Sequence, residues 1–380
     1  MQGGSFASRL LLTLLALAAC AHPACGADRA KVTVEKYANG KVKVRREVTV
    51  APNGLETPNG IETRFFANEK KSAECRYKSG LKDGPWSEWY PSGQKKAEGR
   101  YLNDRKIGEE VFYYPSGKKM WALTHVDGQR HGKKSEWHAS GVLMRETEYV
   151  KGELNGAVRE WYSNGKPKLL TNYKQGRKHG PEERWYLDGQ KFVTSNYESD
   201  QRQGPYREWY PDGKNKIEAT YANGHYEGKV IQWHASGRVR SQGEHRGGNL
   251  QGLWTEFYDD PEHHKSTEVT FEKGAAHGRQ IFWHKNGRKR LEVNYVHGQR
   301  QGPWSEWYEN GARRASGQYR DDVHDGKQFF WYESGGKWAI REYDKGKKHG
   351  VWAEWDRKGN LTKNDRFDRG LLAEGSAAAN

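Results

Sequence analysis

Six consecutive residues, Asp259-Asp260-Pro261-Glu262-His263-His264, gather three carboxylates and two imidazoles. Oxygen and imidazole donors this close in sequence can reach a single ion, so Asp259, Asp260, Glu262, His263 and His264 are the chain's candidate metal set. The same residues also describe a solvated loop tip, and the sequence favours that plainer reading, with no metal or other cofactor expected.

The remaining acid–base groups recur too regularly for catalysis. His131, His179, His277 and His349 share one spacing, and His138, His234 and His284 share another, alternating in place with Gln, Asp or Tyr. Glu88, Glu136, Glu160, Glu208, Glu256, Glu306 and Glu354 each stand just before an aromatic residue, as expected for a solvated ladder that pairs with Lys and Arg. A catalytic residue should be singular, and these are not. There is no phosphate loop, nucleophile elbow or H-E-x-x-H, so the sequence predicts a protein that is not an enzyme.

The elements that carry these groups are repeats. Glycines at 84, 108, 132, 156, 180, 204, 228 and 252 lie 24 residues apart; after a two-residue insertion the series resumes at 278, 302, 326 and 350, and Gly60 extends it backward. Five residues past each glycine stands an aromatic: Phe65, Trp89, Tyr113, Trp137, Trp161, Trp185, Trp209, Trp233, Phe257, Trp283, Trp307, Trp331 and Trp355. The next position is Tyr, His or Phe in every unit but the last, which has Asp356, and a Tyr, His or Phe returns at the seventeenth position, as in Tyr101, Tyr149, Tyr221 and Tyr319.

Each unit reads as a β-hairpin. The runs ending at Gly165, Gly213 and Gly287 (Tyr-Ser-Asn-Gly, Tyr-Pro-Asp-Gly, His-Lys-Asn-Gly) are turn chemistry. The second arm, as in Glu292-Val293-Asn294-Tyr295, alternates with a period of two, and the polar return segment Lys174–Gly180 is a reverse turn into the next hairpin. The predicted fold is all-β: an elongated ribbon of stacked antiparallel hairpins, about 13 units and about 26 strands, in which each unit touches only its neighbours. Consecutive aromatics must point to opposite faces. The ten tryptophans Trp89, Trp137, Trp161, Trp185, Trp209, Trp233, Trp283, Trp307, Trp331 and Trp355 are expected to form the structural core of the repeat. Tyr90, Tyr162, Tyr186, Tyr210, Tyr308 and Tyr332 are expected to form an exposed binding ladder. Which ladder shares a face with the second-arm tyrosine is left open, because two- and three-residue turns give opposite answers.

Composition supports this architecture. Leu, Ile, Val and Phe total only 57 of 380 residues, below the ~20% that marks chains too poor in aliphatics to fold. Yet 16 Trp and 21 Tyr are residues that a disordered chain does not carry. The interior is therefore aromatic, and 45 Gly exclude a large helical or doubly wound enzyme in favour of short strands and many turns. A net charge of +15 attracts polyanions without choosing among them.

The N-terminus assigns a compartment. Arg9 precedes an apolar run from Leu10 to Ala19, too short to span a bilayer and the right length for a secretory signal core. The expected organisation is a signal segment over 1–19 (1–27 under ordinary cleavage), a hairpin cap outside the register over 28–59, the repeats over 60–373 and a loose tail over 374–380. Leu17-Ala18-Ala19-Cys20 also resembles the bacterial lipobox, which implies lipidation at Cys20 and an anchored envelope protein; cleavage after Ala21 or Ala27 is the alternative. If Cys20 is lipidated, Cys25 and Cys75 remain and could pair.

The repeat itself, with Glu160-Trp161-Tyr162-Ser163-Asn164-Gly165 arms and Tyr173-x-x-Gly176-x-x-x-Gly180 returns, resembles the MORN repeat (membrane occupation and recognition nexus) in its bacterial variant with G-x-W-x-x-W-Y-x-x-G, over about 310 of 380 residues. The resemblance implies hairpins stacked in an extended sheet and used for protein or lipid contact; some bacterial members are assigned as antitoxins from genomic neighbourhood, a role that export puts in doubt unless the target lies in the envelope. Choline- and glucan-binding repeats use similar Gly-Trp and Trp-Tyr hairpins at nearer 20 residues. The function expected is therefore a non-enzymatic envelope scaffold for protein–protein contact. The alternatives are a module for cell-wall glycan, acidic polymer or anionic lipid, and an antitoxin or immunity-type protein. Nucleic acid suits the charge but not an exported chain.

Overall fold

Two kinds of turn alternate along the chain. In Tyr162-Ser163-Asn164-Gly165-Lys166 the Gly165 amide donates to the Tyr162 carbonyl at 2.9 Å, the Tyr162 amide donates to the Lys166 carbonyl at 2.9 Å, and Gly165 has φ +81°. This is a type I turn closed by a G1 bulge, which favours glycine at that place, although Glu69 holds it at φ 66° in the Phe66–Lys70 turn. The Asn164 side chain accepts the Lys166 amide at 3.0 Å, which is why Asn or Asp precedes the glycine in many units. In the second turn Gln175 and Gly176 both have positive φ, 51° and 75°, giving a two-residue type I′ turn.

The computed structural model describes residues 27–373. It is all-β, and within each of its two units successive hairpin arms pair antiparallel; no helix occurs among the described residues. The expected signal segment, Cys20, Cys25 and the tail lie outside the described residues. Cys75 is a free thiol, half-buried, and burial pushes its pKa up. The chain divides into two compact units, Met1–Gly117 and Lys118–Asn380. Strands Arg29–Lys36 to Arg105–Tyr113 make up the first, and strands Lys119–Val126 to Leu371–Leu372 the second. Some arms are interrupted one residue before the glycine, as at His179 between Arg177–Lys178 and Gly180–Trp185, so the strand segments outnumber the arms expected.

The N-terminal hairpin uses the repeat's own chemistry. The Gly40 amide donates to the Tyr37 carbonyl at 2.9 Å, reproducing the first turn, and the Tyr37 hydroxyl donates to the Phe65 carbonyl at 2.7 Å. Its second turn, from Ala51 to Leu55, is again of the bulged kind, with Gly54 at φ +84°, and this longer turn together with the longer arms Val42–Val50 and Glu56–Phe65 moves the hairpin out of the 24-residue register.

Strand register fixes the two faces. Gly204 opposes Tyr221, Tyr206 opposes Ala219 and Glu208 opposes Ile217 on one face, while Arg207 opposes Glu218 on the other. On the first face Val193, Tyr206, Ala219, Tyr221 and Val230 form one buried cluster, with Phe192, Ile217 and Tyr226 packed against it. Val293, Trp304 and Ala315 form another. Large residues meet small ones across the ladder. Trp86 opposes Gly99, where an added Cβ would lie 2.7 Å from the indole Nε1, and Trp304 opposes Gly317. Where the inward residue is charged it is paired: Glu182, 1% exposed, accepts from Lys178 at 2.6 Å and Arg184 at 2.9 Å. Aromatics and ion pairs thus replace the missing aliphatics.

Candidate functional site: the aromatic ladders

The register shift between Glu208 and Trp209 decides where the ladders point. The second arm carries one extra residue at this bulge, and Lys216 turns onto the buried face. Its Nζ donates to Glu208 at 2.6 Å and lies 5.7 Å from the Tyr210 ring, while Glu208 also accepts the Tyr206 hydroxyl at 2.8 Å. Tyr206, Glu208, Lys216 and Tyr210 are therefore on one face. The tyrosine ladder, and not the tryptophan ladder, shares the face of the second-arm tyrosine.

That ladder is consumed by the fold. The hydroxyls of Tyr162, Tyr186, Tyr210, Tyr308 and Tyr332 donate to the carbonyls of Trp185, Trp209, Trp233, Trp331 and Trp355 at 2.7, 2.9, 2.8, 2.9 and 2.8 Å, and Tyr90 donates to the Tyr113 carbonyl at 2.8 Å. Histidine substitutes in kind: Nε2 of His234 and His284 meets the carbonyls of Phe257 and Trp307 at 3.0 and 2.9 Å. Each acceptor stands beside the register shift, where regular pairing is interrupted and a main-chain carbonyl needs a donor from elsewhere. The six tyrosines expected to be an exposed binding ladder are half-buried joints between successive hairpins. His138 departs from the pattern, its Nε2 buried without a partner.

The ten tryptophans are likewise not the core expected of them. Each is half-buried, and the buried indoles are Trp86 and Trp304, three residues earlier in their units. The recurring tryptophans lie on the opposite face, as Phe329 stacked with Trp331 at 6.1 Å shows, since Phe329 points away from the buried row. Over them lie cations of the preceding hairpin: Lys71 over Trp89, Lys119 over Trp137, Lys265 over Trp283, Lys289 over Trp307 and Arg313 over Trp331, at 5.7, 5.8, 5.7, 5.9 and 5.9 Å. Several of these lysines hold a carboxylate as well, as Lys265 does Glu268 at 2.6 Å and Lys289 does Glu292 at 2.7 Å. The face is a recurring sequence of flat ring, cation and carboxylate.

A third row escaped the sequence reading. Two residues before the glycine, Lys82, Arg130, Lys178 and Arg300 lie 5.1, 4.8, 4.7 and 4.3 Å from the rings of Tyr101, Tyr149, Tyr197 and Tyr319. Arg202 lies between Tyr206 and Tyr221, at 5.0 and 5.3 Å. The 24-residue spacing of these cations was a readable signal. Burial pushes the Tyr206 phenol well above the ordinary tyrosine range, and its hydrogen bond to Glu208 adds to this, so it stays protonated and donating.

At the inserted tip the structure divides the five metal candidates. Asp259 accepts from the Ser236 hydroxyl and from Arg238, and its pKa lies below the usual carboxylate range, chiefly through the Ser236 bond. His263 stacks on Phe257 at 4.3 Å and its Nε2 meets the Val239 carbonyl at 2.9 Å. Asp260, Glu262 and His264 stay together, with ligand atoms all within 4.8 Å of one another.

Hairpins joined end to end by phenol-to-carbonyl bonds define a β-hairpin repeat protein. The family is the MORN repeat variant: its model matches residues 82–103, 130–151, 154–175 and 202–223, each stretch opening two residues before a register glycine. The chain is a MORN-repeat protein of this variant type. No curated protein matches it. Solved structures similar to it include the crystal structures of TcdB2-TccC3-TEV, TcdB2-TccC3 and TcdB2-TccC3-Cdc42, at 10, 10 and 11% identity and TM-scores of 0.17, 0.17 and 0.16. They cover 89, 88 and 88% of this chain, which in turn covers 20, 21 and 20% of theirs, about a fifth of their length. At these scores the likeness carries no argument.

Proposed function

We propose that the protein is a non-enzymatic interaction scaffold of the cell envelope, exported and anchored through Cys20, which binds a partner protein along its tryptophan face. The observation that carries this reading is the division of labour between the faces. The inward row and the tyrosine ladder are occupied with holding hairpins together, whereas the tryptophans recur half-exposed on the other side. Rings on alternate strands stand roughly 9.6 Å apart, two strand spacings, each with a cation beside it. Rigid amphipathic rings flanked by charge are the residues that dominate protein interfaces. The cations lying over those rings favour a second reading, an acidic polymer or anionic lipid surface drawn by charge.

The test is capture of partners from crosslinked envelope fractions by the full chain and by a W185A/W209A/W233A variant, at low and high salt. A stoichiometric protein recovered by the parent chain, retained at high salt and lost with the variant, is the expected outcome. Equal recovery by the variant overturns the tryptophan face as the contact surface. A glycan or anionic polymer released by salt replaces the protein partner with the second reading.

A further inference from the structure

We infer that the aromatic row between Trp254 and Tyr206 is a route for oxidising equivalents, carrying an electron vacancy from a half-exposed indole to a buried tyrosine seated beside a carboxylate. The rings follow one another without a gap. Their centroids stand 6.0 Å apart from Trp254 to His245, 5.3 Å from His245 to Tyr226, 4.7 Å from Tyr226 to Tyr221 and 5.4 Å from Tyr221 to Tyr206. These are the separations of aromatic rings in direct contact. The whole row lies within the second compact unit.

Its two ends differ in the way such a route requires. Trp254 is half-buried and its Nε1 donates to Glu256 at 3.2 Å in an exposed hydrogen bond, so a one-electron oxidant in solution meets this ring first. Tyr206 and Tyr221 are buried away from it. The Tyr206 hydroxyl donates to the Glu208 carboxylate at 2.8 Å. A phenol gives up an electron readily only when its proton can leave at the same time, and here a base is already within hydrogen-bond reach.

The step balances in electrons and protons. The oxidant takes one electron from the Trp254 indole and is reduced by it. An electron from Tyr206 refills the indole by way of Tyr221, Tyr226 and His245; the Tyr206 O–H bond breaks, and its proton forms an O–H bond on Glu208. The product is a neutral phenoxyl radical beside a neutral carboxylic acid. Arg202, 5.0 and 5.3 Å from the Tyr206 and Tyr221 rings, makes a positively charged radical on either ring costly, which ties oxidation there to loss of the proton.

A second row lacks this ending. Trp304, Tyr319, His324, Tyr343 and Trp352 also run ring to ring, at 5.7, 4.6, 5.4 and 5.3 Å. There the Tyr319 hydroxyl faces the Arg300 guanidinium, and the Trp304 Nε1 donates to the Gln328 amide oxygen at 3.0 Å. Neither partner is a base.

The experiment is flash-quench oxidation of the full chain by soluble tris(bipyridyl)ruthenium(III), followed by transient absorption and electron paramagnetic resonance of the tyrosyl radical. It is run on the parent protein and on Y206F, E208Q, W254F and Y319F, with circular dichroism to check that each variant is folded. A long-lived neutral tyrosyl radical is expected in the parent and is lost in Y206F. Its formation should slow by about 100-fold in E208Q, the usual effect of removing a positioned base, and its yield should drop in W254F. Y319F should match the parent. A folded Y206F with the parent's radical yield and lifetime, an unchanged rate in E208Q, an unchanged yield in W254F, or an equal loss in Y319F would each overturn the route.

Discussion

The two faces of the hairpins follow opposite rules. On the inward face the residue two places past the glycine changes from unit to unit, Trp86, Glu182, Tyr206, Val230, Trp304 and Gln328 among them, and yet all six are buried. On the outward face the residue is tryptophan in most units, and none of these is buried. Recurrence of one residue type is usually read as a packing constraint, whereas here the packed position tolerates any residue whose neighbours complement it. The position that repeats its identity is the one turned toward solvent.

The sharpest way to break this comparison is a charge at the inward position. Val230→Asp places an unpaired carboxylate where the side chain is 0% exposed, and should destabilise the second unit by about 4 kcal/mol, read as a lowered urea midpoint. Next comes the large-against-small rule: Gly99→Val drives a side chain into Trp86 and should cost about 2 kcal/mol, with altered near-ultraviolet circular dichroism reporting the displaced indole. A smaller loss belongs to the joints. Tyr210→Phe removes one bond, to the Trp233 carbonyl, and should cost about 1 kcal/mol, with faster amide exchange confined to the adjoining hairpins.

The smallest effect at neutral pH tests the paired inward carboxylates. Burial pushes Glu62 up, but the bonds from Arg46 and Arg64 outweigh it and hold its pKa below the ordinary value. A group whose folded pKa is depressed contributes stability above its unfolded pKa and loses it as pH falls through the folded one. The first unit should therefore weaken as acid takes the medium below the carboxylate range. Glu62→Gln should lessen that acid dependence, measured by thermal melts across pH; an unaltered profile in the variant would show that the pair does not contribute.

Much of this was legible in the sequence, because glycine spacing and Asn-Gly or Asp-Gly turns report backbone geometry directly. The hairpins, their period and the all-β class follow from Gly84 to Gly350 alone. Face assignment did not follow, since the bulge beside Trp209 places an extra residue opposite the first arm and breaks the parity on which an alternation argument depends. Alternation alone therefore makes the tyrosines an exposed ladder and the tryptophans the core, whereas the tyrosines are joints between hairpins and the tryptophans stand half-buried on the opposite face. Trp86 opposite Gly99 could have been read by pairing positions within a unit. Trp254 could not, because it packs on Gly243 of the preceding unit. The chemistry at the inserted tip was visible as composition, but only the fold separates Asp259 and His263 from the three residues left together.

The tyrosine joints have an evolutionary consequence. Each phenol closes on a main-chain carbonyl, which every amino acid possesses, so the coupling does not depend on which hairpin comes next. Excising or duplicating a whole 24-residue segment leaves a matching acceptor in place at the new seam. Lineages can therefore lengthen or shorten such a chain in whole steps by unequal recombination, without compensating substitutions at the junction.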